Sequence, residues 1–168
     1  MKTKNIQKSI SISLGTILLS CILFACSSSN KVVKLNSDDI KNMVDSSRFV
    51  FVADRVSPMR GRTRNLTSRY TVKLTKDSLD CDLPFFGRAT QAPMDPSQGG
   101  IQFVSNKFSY DVTSKKGDQW DVTIKPGDNT SVQQLFFNIF SNGSANLNVI
   151  STYRDAISFS GHIERRKE

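Results

Sequence analysis

Arg55, Arg60, Arg62, Arg64 and Arg69 fall within fifteen residues of one another, and a guanidinium is a planar fork of N–H donors that fits phosphate or carboxylate. Pro58 and Gly61 mark this segment as a connector between two strands. Several guanidiniums on such a loop can converge on one anion, so Arg60, Arg62 and Arg64 are candidate anion-binding residues. A solvated basic loop is the plainer alternative. The stretch DLPFFGRATQAPMDPSQGG, Asp82 to Gly100, adds Arg88 to the candidates. Its prolines and glycines make it first a corner between strands. Arg88, beside Gly87, has little structural reason to be arginine unless its guanidinium meets a carboxylate or an anion.

Residue types that run reactions are sparse. His162 is the single histidine and alternates with Ser158 and Ser160, opposite Ile157, Phe159 and Ile163, which sends it toward solvent. Cys81 lies in Leu79-Asp80-Cys81-Asp82-Leu83, where the odd positions are apolar, so the thiol belongs to the buried face of a strand. The flanking aspartates disfavour a thiolate there. One histidine and one shielded thiol exclude a multi-histidine zinc site and provide no nucleophile pair. Asp38 and Asp39 start a helix, while Asp118, Asp128 and Asp155 occupy turn positions where aspartate is common. Nothing favours a paired-carboxylate hydrolase. No catalytic residue, metal or cofactor is expected, and the chain reads as a non-enzyme.

The N-terminus sets the compartment. Lys2, Lys4 and Lys8 precede an uncharged apolar run from Ile10 to Phe24, the pattern of a secretory signal and shorter than the roughly 20 residues of a spanning helix. It ends in Leu23-Phe24-Ala25-Cys26, which resembles the lipobox of bacterial lipoproteins. That resemblance implies cleavage before Cys26 and acylation of its sulfur and new amine, a multi-chain anchor strong enough for stable membrane attachment. The chain then divides into a leader over 1–25, a lipidated cysteine with a polar tether over 26–36, and one domain over 37–168. Cys21 leaves with the leader and Cys26 carries lipid, so Cys81 has no disulfide partner. The net charge of +8 includes the three leader lysines, so the mature chain carries about +5. An exported chain with that modest excess is a poor candidate for nucleic acid. Ser27 after the cysteine, with no acidic run in Ser28-Ser29-Asn30-Lys31, points to the outer membrane with the domain facing the periplasm.

The elements that must carry these residues are mostly strands. Ser37 is the expected cap of a short helix with Ile40, Met43 and Val44 on one face. From Phe49 the period is two. Phe49 and Phe51 alternate with Val50 and Val52 in a strand buried on both sides, and Tyr70, Val72 and Leu74 turn at Asp77-Ser78 into the Cys81 strand. Ile101 and Phe103; Phe108, Tyr110 and Val112; Trp120, Val122 and Ile124; Leu135, Phe137 and Ile139 continue the rhythm. Asn142-Gly143 predicts a two-residue hairpin into Ala145, Leu147 and Val149, and Ile157, Phe159 and Ile163 close the series. The expected fold is all-β: an antiparallel β-sandwich or flattened barrel of about 8–9 strands with one short N-terminal helix.

Several motifs together resemble one family. They are Phe49-Val50-Phe51-Val52-Ala53, Pro58, Tyr70, Leu83-Pro84-Phe85-Phe86-Gly87-Arg88-Ala89, Gly99-Gly100-Ile101-Gln102-Phe103, Asn142-Gly143-Ser144-Ala145 and Arg154-x-x-Ile157-Ser158-Phe159-x-Gly161. The chain resembles the Bacteroidota lipoproteins catalogued as domain of unknown function 4251, over roughly Ser37 to Ile163. The resemblance implies a small cell-envelope lipoprotein and brings no activity or site residues with it. The functional expectation is a non-catalytic periplasmic binding or accessory module that holds an anionic envelope component or an envelope protein. The alternatives are a barrel that carries a small apolar ligand among its phenylalanines and, more remotely, an envelope hydrolase. Asp77-Ser78-Leu79 matches the Asp-Ser/Thr-apolar pattern of O-glycosylation in Bacteroidota, which makes Ser78 a candidate modification site.

Overall fold

A computed structural model of the chain describes residues 35–90, 99–127 and 131–166. The leader, the candidate lipidation site Cys26 and most of the tether lie outside the described residues, as do Pro93, Pro96 and the Asp128-Asn129 turn. The body opens with helix α1 (Ser37–Asp45), and nine strands follow: β1 (Phe49–Pro58), β2 (Arg64–Leu74), β3 (Leu79–Leu83), β4 (Ile101–Ser105), β5 (Phe108–Lys115), β6 (Gln119–Pro126), β7 (Val132–Phe140), β8 (Ser144–Ser151) and β9 (Ile157–Glu164).

Helix α1 is capped one residue earlier than the sequence suggests. The Asn36 side chain accepts the Asp39 amide at 2.7 Å, and the Asp39 carboxylate reaches back to the Asn36 amide, so two orphan donors are met at once. At the other end Ser47 takes the left-handed conformation, φ 55. The Ser47 amide then bonds Val44 O and the Arg48 amide bonds Met43 O, the Schellman closure usually given to glycine. Ile40, Met43 and Val44 are buried in the common core. The helix covers the end of the sheet where β7 turns into β8: an added Cβ on Gly143 would lie 3.4 Å from Ile40 Cδ1, and Arg165 just beyond β9 pairs with Asp39.

The strands form one antiparallel sheet in the order β4-β3-β2-β1-β9-β8-β7-β6-β5. Its directions carry information. Three reversals separate β1 from β4 and four separate β5 from β9, while β9 opposes β1. Therefore β4 and β5 run the same way, and Asn106-Lys107 is a step inside one long path rather than a hairpin turn. The step is fastened at the Lys107 carbonyl, which accepts the buried Ser105 hydroxyl at 2.8 Å and the Gly127 amide at 2.6 Å. Since β4 and β5 are the two edges of the sheet, the covalent chain itself joins them, and the sheet nearly closes into a flattened up-and-down barrel.

The interior is made by the period-2 residues. Phe137 of β7 meets Phe49 and Phe51 of β1 edge to face, with ring centroids 5.8 and 5.6 Å apart. These rings come from strands three places apart in the sheet, so aromatic packing bridges the inside of the barrel. Cys81 belongs to the same core, 1% exposed, and burial raises its pKa, with Asp80 and Asp82 adding in the same direction. It is an inert core thiol. The edge strand β5 departs from expectation: Phe108 and Tyr110 are half-buried and Val112 is exposed, because beyond β5 there is no further strand to cover them. Tyr110 instead sends its hydroxyl to Val44 O at 2.7 Å, tying the edge to the end of α1. The Asn142-Gly143 turn is also longer than expected. Ser141, Asn142 and Gly143 separate the strands, and only Gly143, φ 83, has positive φ, the three-residue loop closed by a left-handed glycine.

Candidate functional site

Two charged regions lie on this body, and strand register places both. β1 runs from the α1 end to Pro58, which pairs with Ile157. The loop after Pro58, with Met59, Arg60, Gly61 and Arg62, therefore stands beside the connector between β8 and β9. That connector is bridged in turn by the segment after β3. Ala89 pairs with Arg154, the Thr90 amide bonds Tyr153 O at 2.9 Å, and the Asp155 amide bonds Arg88 O at 3.0 Å. One end of the barrel thus gathers the β1–β2 loop, the Pro84–Thr90 segment and the β8–β9 connector.

Arginines dominate this end. Arg60, Arg62 and Arg88 are exposed, and no carboxylate lies in ion-pair range of them among the described residues. Arg64 stands at the start of β2, not in the loop, with its guanidinium 5.0 Å from the Phe86 ring centroid. Arg55 and Arg69 are likewise strand residues, of β1 and β2, so the connector proper holds only Arg60 and Arg62 of the five. Arg154, in the β8–β9 connector, joins them at this end. It sits 5.0 Å over the Phe85 ring and donates to Gly100 O at 2.6 Å. Phe85 and Phe86 are both half-buried against the core, each under a guanidinium, which resolves why neighbouring aromatics here need not alternate in and out. Met59 and Tyr153 are exposed on the same end. One anionic group interrupts it: Asp155 Oδ2 is buried and has no hydrogen-bond partner among the described residues.

The second region is a belt over the outer face of β1, β2 and β9. A bulge in β1 between Ala53 and Arg55 breaks the alternation and turns Asp54 outward. The backbone at this bulge approaches β9 so closely that a Cβ on Gly161 would lie 1.9 Å from Val52 O, so glycine is required there. His162 follows, half-exposed as expected from the sequence. Its Nδ1 faces Asp54 Oδ2 at 3.0 Å and its Nε2 faces Glu164 Oε1 at 3.2 Å. Glu164 also accepts from Arg69 at 2.7 Å. The Arg69 hydrogen bond chiefly, and His162 after it, hold the Glu164 carboxyl below its ordinary pKa against some burial. Both ring nitrogens of the histidine are thus engaged. Among the described residues no group of three potential ligands could hold a metal ion.

Ser78 lies in the β2–β3 turn as expected, half-buried, with its carbonyl accepting the Thr75 amide at 2.8 Å. The Asp54–His162 pairing has no signature in the sequence, since it depends on the bulge. Arg154 carried one signal, its fixed spacing before Ile157 and Gly161 in the motif that ends the chain.

A family model described as "Domain of unknown function (DUF4251)" matches residues 32–163. The crystal structure of a DUF4251 family protein from Bacteroides eggerthii shares the fold at a TM-score of 0.57 with 14% identity, covering 79% of this chain and 89% of that one. No curated protein matches the chain.

Proposed function

The chain belongs to the DUF4251 family, and within that family, which assigns no activity, we propose that it is a lipid-anchored, non-catalytic binding module of the outer membrane's periplasmic face. Its binding surface is the arginine end of the barrel, and its ligand is an anionic component of the envelope. One observation carries this reading: Arg60, Arg62, Arg64 and Arg88 converge on one end from separate segments and have no carboxylate partner among the described residues. Exposed like charges repel modestly across a screening length of about 8 Å. Arginines with no paired carboxylate among the described residues gain nothing from one another, whereas a bound phosphate or carboxylate would draw charge-assisted hydrogen bonds from them.

The other features agree. The rings of Phe49, Phe51 and Phe137 occupy the centre of the barrel, which favours binding at the end over carriage of an apolar ligand inside. His162 has both nitrogens taken by carboxylates and, among the described residues, no hydroxyl or thiol in hydrogen-bond contact, which favours a non-catalytic role over a hydrolase. The membrane attachment rests on the Leu23-Phe24-Ala25-Cys26 sequence.

Two measurements test the proposal. Titration with inorganic phosphate, pyrophosphate and poly-glutamate, followed by arginine side-chain NMR, should shift the Arg60, Arg62 and Arg88 signals in a salt-dependent way. No shift with any of the three anions would overturn the binding surface. Radiolabelled palmitate should enter the wild type in cells and not Cys26→Ala; equal labelling would overturn the anchor.

A further inference from the structure

The arginine end lies opposite the end of the body at which Leu35 and Asn36 enter it. Leu35 and Asn36 lead directly into α1, β1 begins at Phe49 just after the helix, and β1 then crosses the barrel to Pro58, where the Arg60–Arg62 loop starts. Ten strand residues at about 3.3 Å each span about 33 Å, and a barrel tilt near 40° leaves about 25 Å along the axis. Leu35 lies nine residue steps beyond Cys26, a contour of about 30 Å even when fully extended. Pressing the arginine end against the leaflet that holds Cys26 would use nearly all of that reach in running back along the body. Little would remain for rounding it.

We propose that the arginine end faces away from the anchoring membrane and takes the carboxylates of the wall polymer, the peptide stems of peptidoglycan, rather than lipid headgroups. This rests on the reading above that the end binds anions, and narrows it to one partner. The chemistry fits a repeating polymer. Arg60, Arg62, Arg64 and Arg88 come from three chain segments at this end, and each offers its own fork of donors. Arg64 is held against Phe86, so its fork is partly fixed before a ligand arrives. Each carboxylate contact is weak alone, and several along one strand of polymer add through effective concentration.

The test is co-sedimentation of the full-length protein, extracted in neutral detergent, with purified peptidoglycan sacculi. The wild type should pellet with sacculi at low salt and be released by about 0.5 M salt. Arg60→Glu/Arg62→Glu/Arg88→Glu should lower pelleting at least tenfold at an unchanged unfolding midpoint, and the distant reversal Lys116→Glu should leave pelleting intact. Doping the micelles with phosphatidylglycerol should not compete. If phosphatidylglycerol abolishes pelleting, or if sacculi fail to pellet the protein, the wall assignment is wrong. Should poly-glutamate and phosphate still shift the arginine signals in that case, the anion-binding reading survives alone; if they do not, both fall.

Discussion

Charge is handled in opposite ways at two places on this barrel. Over β1, β2 and β9 it is matched: Asp54 faces His162, His162 and Arg69 share Glu164, and Arg165 reaches Asp39. At the end built from the β1–β2 loop and the Pro84–Thr90 segment, Arg60, Arg62 and Arg88 meet no carboxylate partner among the described residues. Exposed pairs contribute little stability, typically about 0–1 kcal/mol each. Their use in the belt is local, to hold side chains over the bulged strand. The arginine end has no such internal purpose. Function is therefore to be sought in the cations that the fold leaves unanswered rather than in the histidine that it surrounds.

The largest effect should come from the backbone beneath the belt. Gly161→Ala would force a Cβ to 1.9 Å from Val52 O and 2.9 Å from Val52 C, atoms that cannot swing aside. A loss of about 3 kcal/mol or more is expected by urea unfolding, as the β1 bulge gives way and Asp54 moves out of reach of His162. A midpoint near that of the wild type would mean that the bulge yields without cost, and that the belt is not imposed by close packing. The opposite region should respond in the opposite way. Arg60→Ala/Arg62→Ala/Arg88→Ala should leave stability within about 0.5 kcal/mol, yet weaken poly-glutamate binding at least tenfold, about 1.4 kcal/mol. Equal losses of stability and binding would erase the contrast between the two regions.

Much of the architecture was legible because period-2 patterning is a local property. Phe49 to Val52, Leu79 to Leu83 and Leu135 to Ile139 each reveal their buried face without reference to any partner strand. What failed was set by neighbours. Val112 looks like an interior residue, and only its place on an edge strand exposes it. Ser37 resembles a cap, but Asn36 with Asp39 at the third helical position satisfies two donors and wins. Arg60, Arg62 and Arg88 were recognisable by type and by loop context, whereas their meeting depends on the Ala89–Arg154 bridge, a pairing across more than sixty residues. Asp54 turns outward only because of the bulge after Ala53, which strand alternation does not foretell. His162 was placed correctly on the outer face, but its carboxylate partners come through that bulge and through β9 itself.

A smaller effect separates the belt from the arginine end by pH. Glu164 has a folded pKa below its ordinary 4.5, held there first by the Arg69 hydrogen bond. The stabilisation is therefore complete above the unfolded pKa and is lost as pH falls through the folded value. As pH falls below the ordinary 4.5 the wild type should lose a small share of its stability from this carboxyl, small because the group is partly exposed. Glu164→Gln should lack that share of the slope. An identical pH profile for the two proteins would show that the belt's pairing adds nothing to folding.

The smallest expected change lies inside the basic end, at Asp155, a carboxylate that opposes its character. Asp155 is fixed by its own backbone, whose amide bonds Arg88 O, so the side chain is brought to the arginines by the same bridge that assembles them. Its Oδ2 is buried without a hydrogen-bond partner among the described residues. A negative charge in that position repels an incoming anion and offers it nothing in return, since a carboxylate has no donor. Asp155→Asn removes the charge at nearly constant shape and adds an amide donor. Poly-glutamate should then bind about two- to fivefold more tightly, the effect of one unit charge several ångströms away in a largely aqueous site. Weaker binding would mean that Asp155 orders the arginines through an interaction made only when the ligand is present, and that this end, like the belt, is built on paired charge.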